Sequence, residues 1–122
     1  MAPGFIEKWH QAALPNGAGD AASLARIPTV QCMPLQSIFD ETKVEHIDFL
    51  SVDVEGGELE VLKTIDFSRV KIFLVAVEAD GFFPDKEAGV KALLKDAGFS
   101  HEGQHLRSDW FVNDAHRRKD HL

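Results

Sequence analysis

The chain is short of several things, and each shortage excludes something. It holds one cysteine, Cys32, in 122 residues. A lone thiol cannot close an intramolecular disulfide, and without a cysteine cluster there is no thiolate zinc site. Basic residues are outnumbered, 13 Lys and Arg against 20 Asp and Glu, for a net charge of -7. A face that displaces counterions from nucleic acid needs the opposite sign. An anionic membrane surface would repel this chain as well. No apolar run approaches the roughly 20 residues of a membrane span. Residues Met1 to Lys8 contain no apolar stretch of the signal-peptide kind, so the expected compartment is the cytoplasm.

What remains is 44% hydrophobic and 27% charged, the composition of a globular domain. Its length sets one domain as the upper bound. Residues 1–27 have turn chemistry at Pro3-Gly4 and Pro15-Asn16-Gly17 but no strong apolar face. They read as a loosely structured lead-in, with short helices expected near 5–14 and 21–26.

From residue 28 the pattern sharpens. Thr29–Met33 reads as a short strand, and Pro34 stands where a helix starts. Leu35, Ile38 and Phe39 recur at helical spacing. Ile47–Val54 reads as a strand, followed by Glu55-Gly56-Gly57-Glu58 as a tight turn into a helix whose buried face is Leu59, Val61, Leu62 and Ile65. Lys71–Glu78 is continuously apolar in its middle, as in a parallel strand covered on both faces. Asp85 is placed to cap the next helix. Val90, Leu93, Leu94 and Ala97 give that helix its apolar face, and Gly98 its stop. Strands are expected near 99–104 and 109–112, then a charged tail over 114–122.

Alternating strands and helices predict an α/β fold: a mostly parallel sheet with flanking helices and a C-terminal antiparallel strand. In such sheets ligands bind beyond the carboxyl ends of the strands. Two strands end in acids there, Asp53-Val54-Glu55 and Glu78-Ala79-Asp80. Acids two residues apart point the same way in extended backbone. Gly56 and Gly57 permit a sharp turn and a close approach to a ligand. An acid ending an apolar strand is costly unless it meets a partner, which singles out Asp53. Glu58, in the first turn of a helix, reads instead as a complement to the helix dipole.

The run Ile47-Asp48-Phe49-Leu50-Ser51-Val52-Asp53-Val54-Glu55-Gly56-Gly57-Glu58-Leu59-Glu60-Val61-Leu62 resembles the signature of FkbM-type S-adenosylmethionine-dependent methyltransferases. Cys32–Ile38, Val75–Glu78 and Ser108–Val112 are similar to that family's flanking elements, in order, over residues 28 to 113. The resemblance implies the C-terminal half of a Rossmann-like methyltransferase fold. It implies O-methyl transfer from S-adenosylmethionine to a small molecule bearing a hydroxyl, such as a sugar. Asp53 and Glu55 would then be catalytic. Asp53, Gly56 and Gly57 would lie at the cofactor, and Glu78 and Asp80 at the acceptor. The family's earlier strand, glycine loop and helix do not precede residue 28, so the isolated chain is expected to lack most of the cofactor site.

Three other expectations follow. A sheet lacking one half leaves an apolar strand edge, which invites a homodimer or a second chain. The half-domain could then act as a non-catalytic interaction module. Asp53, Glu55, Glu78 and Asp80 could alternatively gather a divalent cation, since hard cations take carboxylate oxygens. Two motif matches fail on context. Gly17–Ala22 fits a dinucleotide loop without the buried strand before it. His101-Glu102-Gly103-Gln104-His105 spells a zinc-protease motif, but it follows a helix stop and contains Gly103.

Overall fold

The computed structural model describes residues 26–117. The chain divides into two compact units, Met1–Met33 and Pro34–Leu122. Both short helices expected in the lead-in fall essentially outside the described residues, as do the Gly17–Ala22 match and positions 118–122. Thr29–Met33 is not a strand: these residues carry no regular structure and are exposed.

Helix α1, Leu35–Thr42, starts after Pro34, whose missing N–H costs nothing in a first turn. Its buried face is Gln36 and Phe39, whereas Ile38, assigned inward by its spacing, is 40% exposed. Gln36 tolerates burial because its amide is satisfied: it donates to Asp40 and accepts from the Asp66 N–H at 2.9 Å. Strand β1 is His46–Val52, helix α2 is Glu58–Lys63 and strand β2 is Lys71–Glu78. Helix α3, Pro84–Asp96, has Pro84 in its first turn and Phe83 as cap, so Asp85 lies inside the helix rather than capping it. Gly98, at φ +95°, follows the helix as predicted. Strands β3, Phe99–His105, and β4, Ser108–Asn113, form a hairpin. A 3₁₀ turn, Asp114–His116, follows and is capped by Asn113. Arg117 pairs with Glu102, which ties down the start of the charged tail.

The sheet order is β1-β2-β4-β3. Only β1–β2 is parallel; β4 is antiparallel to both β2 and β3. The expectation of a mostly parallel sheet is therefore corrected. The hairpin inserts its second strand between β2 and β3, which replaces a would-be parallel pair with two antiparallel ones. Strand β3 still points the same way as β1 and β2, because β4 runs antiparallel to both of its neighbours.

The core groups Val52, Val75, Val77 and Phe111 of the sheet with Leu62 of α2 and Val90 and Leu94 of α3. Leu62 and Leu94 are fully buried. Helices α2 and α3 pack together, and α3 packs on β3. On β4 the neighbours alternate faces. Phe111 is 1% exposed, and Trp110 turns to the other face. There it stacks on Phe49 of β1, with ring centroids 5.6 Å apart and planes within 6°. The two rings meet across β2, where Ala76, the register partner of Trp110, is small enough to leave room. Phe49 is 48% exposed, so this face is covered less completely than the first. Among the described residues no helix is long and apolar enough to cross a membrane.

Candidate active site

The acids gather where the sequence placed them, beyond the carboxyl ends of β1 and β2. The last parallel register pair is Val52 with Val77, so the next residues, Asp53 and Glu78, fall opposite each other. Asp53, Glu58 and Glu78 each bring a carboxylate oxygen within 4.8 Å of the others. The Glu78 carboxyl is pushed up to about 8. The first cause is its hydrogen bond to Asp53, then burial, then the negative charges of Asp53, Glu55 and Asp80. Two carboxylates this close cannot both ionise cheaply. At neutral pH Glu78 therefore keeps its proton and donates it to Asp53.

Asp53 itself is exposed. The strand stops at Val52, one residue before it, so the cost of burying an acid in an apolar strand does not apply here. What sets Asp53 apart is its contact with Glu78.

Glu55 does not continue the extended backbone. It sits at φ +54°, a conformation uncommon for a residue with a Cβ, so the same-direction argument for Asp53 and Glu55 fails. The turn that holds it is clamped from three sides. Glu58, only 8% exposed, folds back and accepts from the Val54 N–H at 3.2 Å and the Gly56 N–H at 3.1 Å. Lys86 of α3 donates to the Gly56 carbonyl at 2.9 Å. The Phe83 ring lies against Gly56, where an added Cβ would come within 2.8 Å of it. Gly56, at φ +99°, is thus required twice over, once by its backbone and once by Phe83. Gly57 meets only ordinary contacts.

The second acidic turn is held as well. Asp80 accepts from the Phe82 N–H at 3.0 Å, and Glu87 of α3 from the Gly81 N–H at 3.3 Å. Ala79, between Glu78 and Asp80, has both backbone groups engaged: its N–H donates to the Arg107 carbonyl at 2.7 Å, and its carbonyl accepts from Gln104 at 2.6 Å.

Of the four acids a cation was expected to gather, the structure brings Asp53 and Glu78 together and adds Glu58 in place of Glu55 and Asp80. Within that group Glu58 already accepts from the Val54 and Gly56 N–H groups. The sequence assigned Glu58 only to the helix dipole, and Lys86, Phe83 and Gln104 were not singled out. The Glu58 bonds were foreshadowed by its spacing from Gly56; the others join residues 25 to 30 positions apart and leave no local pattern. The zinc-protease match lies on a strand, where His101 Nε2 is 2.9 Å from the buried Asp109. A polar cleft of about 410 Å³, lined by Phe39, Asp40, Lys43 and Arg69 among others, lies at the opposite end of β1 and touches none of these acids.

The profile of the Methyltransferase FkbM domain matches residues 6–107, a span that includes both acidic turns. The chain belongs to the FkbM methyltransferase family. Its FkbM match begins upstream of Pro28, where the sequence pattern first became distinct. "Methyltransferase sdnD" of Sordaria araneosa is 43% identical over 60 residues, which make up 46% of this chain and 22% of that protein. The shared stretch is thus a small part of that relative. No solved structure matches the chain.

Proposed function

We propose that this FkbM domain serves S-adenosylmethionine-dependent methyl transfer to a hydroxyl oxygen of a small molecule, with the acidic rim of β1 and β2 as the working surface. The observation that carries this reading is the Asp53–Glu78 contact at the strand ends, in a chain of this family. When bound, S-adenosylmethionine supplies a methyl group on a sulfonium centre. Its sulfonium and ammonium charges suit a rim of carboxylates, so the donor set fits.

In this reading Asp53 accepts a hydrogen bond from the acceptor hydroxyl and takes its proton as the oxygen becomes nucleophilic. Glu78 holds Asp53 in place by donating to it, and with Asp80 faces the acceptor. Glu55, raised on its left-handed turn, completes the catalytic surface. Asp53, Gly56 and Gly57 line the cofactor's methionine end, where the Asp53 carboxylate meets its ammonium. The chemistry asks mainly for alignment of oxygen and methyl, which is what a clamped turn provides. The test is methyl transfer from labelled S-adenosylmethionine to a panel of sugars and other hydroxyl compounds. Asp53→Ala should abolish transfer that the unaltered chain performs; undiminished transfer by that variant overturns the role of Asp53.

The exposed Phe49 and the edge of β1, which among the described residues pairs only with β2, favour a second reading, in which the domain associates with another copy of itself. Sedimentation then shows a size that grows with concentration. A monomer at high concentration contradicts it.

A further inference from the structure

Glu78 is the last residue of β2 and pairs in register with Ser108 of β4; how its side chain meets Asp53 depends as well on the chain just beyond the strand. The next residue, Ala79, is 5% exposed, so its backbone groups need partners. Both partners come from the β3–β4 hairpin. Arg107, in the hairpin turn, accepts from the Ala79 N–H at 2.7 Å. Gln104, near the end of β3, donates its side-chain amide to the Ala79 carbonyl at 2.6 Å. Gln104 pairs in register with Asp109 of β4, and Asp109 with Val77 of β2. The Gln104 side chain therefore reaches past the start of β4 to a strand that is not its neighbour.

We infer that Gln104 is a positioning residue for the acidic rim: by holding Ala79 it fixes Glu78 against Asp53. The functional sense of this rests on the reading of Asp53 and Glu78 as the working pair, but the geometry does not. On the far side of Ala79 the turn is held separately, with Asp80 accepting from the Phe82 N–H and Glu87 from the Gly81 N–H. A methionine at position 104 keeps the length of the side chain and removes the donor. An asparagine keeps the amide and loses the reach.

The test is titration of the Glu78 carboxyl by carbon NMR on the full chain, with Glu78→Gln to assign the signal. In the unaltered protein the midpoint should lie near 8. Gln104→Met and Gln104→Asn should each bring it down by about one unit or more toward the ordinary 4.5, because a loosened Glu78 regains water and loses Asp53. Val90→Ala serves as a control that lowers stability in the core without touching the rim. Its Glu78 midpoint should match the unaltered protein. The inference is overturned if both Gln104 variants titrate like the unaltered chain, if Val90→Ala shifts the midpoint equally, or if the unaltered midpoint itself lies at 4.5. Affinity for S-adenosylhomocysteine, measured on the same samples, separates the two claims. Shifted titration without any binding leaves Gln104 as a positioning residue and removes the proposed methyl transfer.

Discussion

Glu78 keeps its proton and hydrogen-bonds Asp53 across the carboxyl ends of β1 and β2. This contact inverts the usual pH dependence of an acidic residue. A carboxyl whose folded value is raised binds its proton more tightly in the folded state. Its contribution to stability is complete below the unfolded value of 4.5 and is lost as pH rises to about 8. Urea unfolding of the chain should show stability declining over that window and levelling off above it. Glu78→Gln, which stays neutral, should flatten this part of the curve. An unchanged slope in the variant would place the titrating group elsewhere.

Gly56 and Gly57 should part company on mutation. Gly56 combines φ +99° with a Phe83 atom 2.8 Å from where a Cβ would stand. Gly56→Ala should destabilise the chain by about 1–3 kcal/mol. Gly57, at φ −103°, should accept alanine within about 1 kcal/mol. Equal losses in denaturant midpoints would show that the turn is not built as described.

Glu58→Ala leaves the Val54 and Gly56 N–H groups without their acceptor. Two such losses in a partly buried turn should cost about 1–3 kcal/mol in all. Hydrogen exchange at the Gly56 amide should accelerate with it. A Gly56 amide that stays as protected as before would assign the turn's stability to Lys86 and Phe83 alone.

The stack of Phe49 on Trp110 should be measurable as a coupling. In a double-mutant cycle with Phe49→Ala and Trp110→Ala, the double change should cost about 0.5–1.5 kcal/mol less than the sum of the single changes. Strict additivity would mean that the rings touch without stabilising each other.

Much of this was legible in the residues. The apolar run of β2, the spacing of Val90 and Leu94, and the stop at Gly98 are local features, and the chain folds as they indicate. The acids at 53 and 78 were found because strand ends are where parallel sheets expose their chemistry. What escaped was set by partners distant in sequence. Nothing near Ser108–Asn113 says that β4 will lie beside β2. Nothing near Gln104 or Lys86 points to Ala79 or Gly56. The left-handed turn at Glu55 is the conformation expected of a glycine, so extended geometry was the natural but mistaken expectation there. Thr29–Met33 has the composition of a strand, yet composition does not supply a neighbour to pair with.

The measurement closest to the central claim is calorimetric titration of the full chain with S-adenosylhomocysteine, alongside Asp53→Asn. The account predicts saturable binding to the unaltered chain, weakened by about tenfold or more in the variant through loss of a charged contact. A folded chain that gives no heat, or a variant that binds as well as the original, would contradict it.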